Sequence, residues 1–323
     1  MRRLARCVVV FVMVVSFSVL QPVNAWGPDG HTWINEVAAD KLPKTMPMFL
    51  HKAADRLGYL GPEPDRWREK ETEPELKFSQ EADHFIDLEA LPPDFGEFPT
   101  GRYGFMKKLY EKRAAMLAAG VPQKQADELL PDKVGMQPYI TMEVYERLKV
   151  AFREYRHAKA EKKNTKGIEN NAILYAGWLG HYVGDGSQPL HASTKYDGWV
   201  GDNPNGYVTK HGIHSAFESR FVHDNLTLKS FAPLVHEAVK LKNPRQDYIA
   251  YLKESNSLVE PLYKIEKAGG FEGKGSAEGQ EFAKKRLAAG AQMLANLWYT
   301  AWVDSAIEPP PYEKPAATAP KAN

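Results

Sequence analysis

Two pairs of residues spaced four apart carry the first chemical signal: His181 with Asp185 in GHYVGDGSQPLH, and His214 with Glu218 in KHGIHSAFESRF. A helix turns about 100° per residue, so each pair puts an imidazole and a carboxylate on one face. That combination forms an ion pair or holds a cation in the way zinc is held. The first pair lies in IENNAILYAGWLGHYVGDG, which is apolar nearly all round and reads as a central buried helix. An unpaired carboxylate there costs several kcal/mol, so a positive partner is required, an arginine or a metal. Gly186 and Pro189 end the helix, leaving His191 in the exit turn, free to fold back toward the same space. The second pair repeats the geometry beside the apolar stripe of Phe217 and Phe221; His211, three residues upstream, reads as a loop residue.

Further candidates lie upstream. EADHFIDLE supplies His84, Phe85 and Asp87, GPEPDRWRE supplies Asp65 beside Arg66 and Arg68, and WGPDGH supplies Trp26 and His31. Residues 1–25 read as a secretory signal peptide, with Arg2, Arg3 and Arg6, an apolar run from Val8 to Leu20, and VNA at the cleavage site. The competing reading of that run, an uncleaved anchor, requires more length than it has. Cleavage after Ala25 makes Trp26 the first residue. A free α-amino group titrates near pH ~8, so a cation can displace its proton and use the nitrogen, with the Trp26 carbonyl, as a chelate.

The elements that must position these groups are helical. Apolar residues recur at helical spacing as Phe105, Leu109, Ala115 and Met116, as Tyr145, Leu148 and Phe152, and as Phe282, Leu287, Leu294, Trp298 and Trp302. Strand-like alternation is scarce, so the expected fold is all-α, a single compact domain over 26–308 with a Pro/Ala-rich tail over 309–323. The joins 61–80 and 194–210 are too long to be idle turns. No segment outside residues 1–25 is apolar enough to span a membrane, and no exposed membrane-docking helix stands out; Trp298 and Trp302 read as core. The only cysteine, Cys7, lies in the signal, so the exported chain forms no disulfide. The signal also removes three arginines and no acid, leaving 39 basic against 41 acidic side chains. Such a surface lacks the broad basic footprint that holds duplex nucleic acid. NLT at 225–227 is a glycosylation sequon.

The ordered set Trp26, His31, Asp65, His84, then His181-x3-Asp185-x5-His191, then His214-x3-Glu218 resembles the superfamily that joins zinc-dependent phospholipase C to the single-strand-specific, three-zinc nucleases. The likeness runs from Trp26 to about Phe221. It implies an all-α fold and three Zn2+ ions. Asp65, His84, His181 and Asp185 would hold the first, and His191, His214 and Glu218 the second. The amine and carbonyl of Trp26, with His31 and the other oxygen of Asp185, would hold the third. It also implies an exported phosphodiester hydrolase, secreted or periplasmic, in which a hydroxide bridging two ions attacks phosphorus. Asp65, Arg68 and Asp185 would be the residues nearest the reaction.

Substrate is read from the remaining positions. In the nuclease branch, Phe85 would stack on a base, Asp87 would hydrogen-bond it and Arg68 would clamp the phosphate, a role a guanidinium fork suits. The short spacing from Trp26 to His31 also matches the nucleases, whereas Glu218 matches the phospholipases. The expected activity is cleavage of single-stranded DNA or RNA to 5′-phosphorylated nucleotides. A phospholipase C is the alternative and a non-enzymatic exported zinc protein the remote one. Manganese or iron suits some of these donors as well. No protein partner is implied, and a monomer is expected.

Overall fold

The computed structural model describes residues 26–68 and 71–310. The expected signal peptide lies outside the described residues, as do positions 311–323 of the expected tail; Pro309 and Pro310 are exposed. The described residues are all-α, with no strand among them. Nine helices among the described residues have seven residues or more: α1 (Gly27–Asp40), α2 (Ala54–Leu60), α3 (Pro74–Gln80), α4 (Arg102–Ala118), α5 (Gln137–Ala160), α6 (Lys166–Ser187), α7 (Pro244–Ser257), α8 (Val259–Lys267) and α9 (Ala277–Asp304). Among the described residues, no helix is long and apolar enough to cross a membrane.

Helix α6 is the axis, packed by α5, α9, α2 and α1. Its head is exposed, but every residue from Leu179 to Ser193 is buried. Glycines let α1 come this close. A Cβ on Gly180 would stand 1.8 Å from Asn35 Oδ1, and one on Gly184 2.9 Å from His31 Nδ1. Glycine inside a helix costs about 0.5–1 kcal/mol relative to alanine, offset here by the packing it permits. Asn35 Nδ2 donates to Leu57 O at 2.7 Å and Gly177 O at 3.0 Å, stapling α1, α2 and α6 together.

The apolar stripes of α5 and α9 face this axis. Leu148, Phe152, Leu287, Leu294 and Trp298 have no exposed surface. Trp302 is half-buried, with its ring edge-on to Phe152 and covered by the Arg156 guanidinium at 3.4 Å. The stripe expected along α4 stops short: Phe105 and Leu109 are buried, Ala115 is exposed and Met116 half-buried. Alanine is found on either side of a helix, so Ala115 was a weak marker of a face. The join 61–80 contains a short helical turn, Pro64–Trp67, and α3. Helix α3 buries none of its residues and leaves Leu76 and Phe78 exposed. Flanking Lys77 and Glu75 hide that pair from a sequence pattern. At the sequon, the Asn225 amide donates to Phe221 O and Gly273 O, bonds a glycan would disturb.

Candidate metal centre

Three groups of buried donors converge at the end of α6. His181 and Asp185 come from its last two turns, and His31 from α1. Asp65 comes from the turn Pro64–Trp67, His84 from the turn Glu81–His84, and His191 from the turn Pro189–Ala192. His214 closes a short α-turn, Ile213–Ser215, that passes into a π-turn, Ala216–Phe221, carrying Glu218. The two are not one regular α-helix, as the i, i+4 spacing suggested, yet His214 Nε2 and Glu218 Oε2 stand 2.8 Å apart. π-turns of this kind recur at functional sites.

A tetrahedral ion with ligand bonds of about 2.0–2.1 Å spaces its donors about 3.3 Å apart. In the first group, His84 Nδ1 lies 3.2 Å from Asp185 Oδ2 and 3.0 Å from His181 Nε2. His181 Nε2 lies 3.3 Å from Asp185 Oδ2, and Asp65 Oδ1 lies 3.8 Å from both rings. In the second, His191 Nε2 is 3.0 Å from His214 Nε2 and 3.5 Å from Glu218 Oε2. The third is formed by His31, whose Nε2 is 3.4 Å from Asp185 Oδ1, and whose ring stacks on His181 at 4.1 Å. Asp185 therefore turns one oxygen to each of two groups.

The expected amine and carbonyl ligands sit less simply. Trp26 is fully buried, and its carbonyl accepts Gly30 N–H at 3.1 Å as the first bond of α1. His211, read as a loop residue, is exposed and pairs with Asp197 at 3.2 Å.

The donor atoms fit a cation. Both ring nitrogens of His31, Asp185 Oδ1, Asp65 Oδ2 and Glu218 Oε1 are buried and lack a hydrogen-bond partner among the protein groups. A buried polar atom left so costs about 1–3 kcal/mol. Burial lowers His31, reinforced by the neighbouring His181, and takes His84 down to about 4, with Arg68 acting the same way. Both rings are thereby kept neutral, the form that binds metal. Desolvation also opposes charge on His191, but Asp185 and Glu218 outweigh it and raise the ring to about 9. For Glu218 the burial penalty is outweighed by His214 and His191, and its carboxyl drops to about 2. Asp185, likewise buried, is held well below the usual carboxylate range by His181 and His191.

Hydrogen bonds to backbone carbonyls orient two of the rings, and neighbouring side chains hold the turn that carries His214 and Glu218. His181 Nδ1 pairs with Gly61 O at 2.9 Å and His191 Nδ1 with His84 O at 2.7 Å, which turns both Nε2 atoms inward. Gln188 Nε2 donates to Glu218 Oε2 at 3.0 Å. Asp197 Oδ1 accepts the N–H groups of Gly212 and His214, fixing the start of the His214 turn. Gly61, Gln188 and Asp197 were not picked out from the sequence. A helix usually leaves its last carbonyls unmatched. Here Trp26 caps Gly184 O, Ser255 Gly186 O and Arg286 Ser187 O, while Gln137 and Tyr248 bond Tyr182 O and Tyr251 bonds Val183 O one turn earlier.

Of the residues expected to meet substrate, Arg68 lies beside the first group, with Nη1 3.3 Å from Asp65 Oδ1 and its side chain 18% exposed. Phe85 and Asp87 follow His84 and are half-buried. Burial, with Glu89 adding to it, raises Asp87 to about 7. The two grooves found elsewhere, about 560 Å³ along α5 and α6 and about 290 Å³ between α5 and the start of α7, contain none of the metal-type donors above.

No family model matches the chain. It is 27% identical over 207 residues to a probable serine protease of Bradyrhizobium tropiciagri, a match that takes in 53% of this chain and 24% of that protein. The chain thus spans about a quarter of the curated relative it matches. Among solved structures it is similar to the alpha-toxin from Clostridium absonum, with TM-score 0.45 and 16% identity over 87% of this chain and 67% of that one. It is also similar to the Clostridium perfringens alpha-toxin from an avian strain, with TM-score 0.38 and 15% identity over 86% and 64%.

Proposed function

We propose that this chain is an exported zinc-dependent phosphodiester hydrolase holding three ions. The observation that carries the reading is Asp185, fully buried, with Oδ1 toward His31 and Oδ2 toward His84 and His181, while His191, His214 and Glu218 gather nearby. Asp65, His84, His181 and Asp185 would hold one ion. His191, His214 and Glu218 would hold another, and His31, Asp185 and the Trp26 main chain a third. When bound, the ions supply a local positive field for a phosphodiester, Lewis acidity at phosphorus and a lowered pKa for water. The residues supply the rest. Burial excludes bulk water, Gly61 O and His84 O fix the rings, and Arg68 orients Asp65 and adds a permanent charge at the edge.

Phospholipid is the substrate class we favour over nucleic acid. Leu76 and Phe78 are exposed on α3, just before the His84 turn, and Tyr103 is 84% exposed next to Arg102, which binds Asp83 at 3.0 Å. Exposed apolar side chains of this kind suit lipid better than a polyanion, and Glu218 matches the phospholipase side of the resemblance. Single-stranded nucleic acid is the second reading, supported by Phe85 and Asp87 close to the donors. A serine protease is not proposed: the hydrogen bonds of the described histidine rings go to carboxylates, carbonyls and other histidines.

The test is incubation of zinc-loaded protein with phosphatidylcholine vesicles, single-stranded DNA and single-stranded RNA. Release of phosphorylated head group is expected. Cleavage of nucleic acid alone replaces the substrate with the second reading, and inertness toward all three rejects the hydrolase.

A further inference from the structure

The side chain of Trp26 makes contacts that a ligand role for its main chain does not call for. Its indole Nε1 donates to both Gly184 O and Ser187 Oγ, each at 2.8 Å, and the ring packs on Phe217 at 5.5 Å. Gly30 lies directly beneath, where a Cβ would stand 2.7 Å from the Trp26 Cβ. Gly184 is the meeting point: its carbonyl takes the indole, and its missing side chain makes room for His31 Nδ1.

We infer that the Trp26 indole is a positioning group. It sets the register of α1 against the last turn of α6, and so brings His31 of one helix onto Asp185 of the other, Nε2 to Oδ1 at 3.4 Å. Phenylalanine fills most of the same space but has no N–H, so it keeps the packing and loses the register. The inference rests on the three-ion reading and adds a claim of selectivity. The ion shared by His31 and Asp185 depends on the indole, whereas the ion of His191, His214 and Glu218 does not.

The test uses the exported full chain, its N-terminus verified by mass, as parent, Trp26→Phe and Ser187→Ala. Zinc is the probe, read as bound ions after dialysis, as affinities by chelator competition, and as the rise in melting temperature from the metal-free to the loaded form. In Trp26→Phe one ion is expected to bind at least tenfold more weakly with the others unchanged, and the zinc-induced rise to shrink. Ser187→Ala, which removes one of two acceptors, weakens the same ion by less. Parental affinities in Trp26→Phe, or equal weakening of all ions, overturn the inference. Should Trp26→Phe not fold, parental affinities in Ser187→Ala overturn it. A parent that binds no zinc overturns the three-ion reading itself, and this claim with it.

Discussion

Two donor sets share the centre of this molecule and are built on different supports. His31, His181 and Asp185 stand on the long helices α1 and α6, and none has exposed surface. His191, His214 and Glu218 stand on short turns, with His191 5% and His214 6% exposed. The helix-borne set is placed by the packing of whole elements. The turn-borne set is placed by single hydrogen bonds from Gln188, Asp197 and His84 O. The difference separates a set fixed inside the helix packing from one that keeps a trace of exposed surface.

Substitutions can break or sharpen that contrast. The largest effect is expected from Asp185→Asn, which removes the charge facing two groups. At least two ions should be lost by elemental analysis, with activity falling by more than the roughly 10–100-fold typical of losing an outer hydrogen bond. Retention of all ions would show that Asp185 does not join the groups. Glu218→Gln should come next, costing the turn-borne ion alone; loss from both sets would erase the distinction. Gly184→Ala presses a methyl toward His31 Nδ1 and should destabilise the fold by about 1–3 kcal/mol, as overpacking does, read from thermal melting. Gln188→Leu should have the smallest effect on metal, about tenfold in affinity for the turn-borne ion. It should also destabilise the metal-free protein by about 1 kcal/mol in thermal melting, because Gln188 Oε1 accepts Leu190 N–H at 2.9 Å. An equal loss at the helix-borne set would mean the two are coupled.

The helical class and the pairs His181–Asp185 and His214–Glu218 were legible because helical periodicity is local, whereas His31, Asp65 and His84 were assembled through the family resemblance. His181 and Asp185 announce their shared face within one turn, and Leu148, Phe152, Leu287 and Leu294 announce theirs. What supports them was not legible. Gly61 O reaches His181 across 120 positions and His84 O reaches His191 across 107, and a backbone oxygen has no sequence identity. The π-turn under Glu218 preserves the meeting of His214 and Glu218 by a geometry that the spacing alone does not specify. Gln188, beside Pro189, has no spacing that points to Glu218. The exposed pair on α3 escaped because two apolar residues among charges make no periodic signal.

Helices ordinarily fray from their termini, where bonds are fewest. In α6 that order is reversed. Six side-chain hydrogen bonds grip the last two turns, and the solvent-facing head at Lys166 has none of them. Thermal opening of this helix should begin at Lys166 and run toward the interior. Amide hydrogens around Asp185 should then exchange last, so the reactive centre would outlast the start of the helix that carries it.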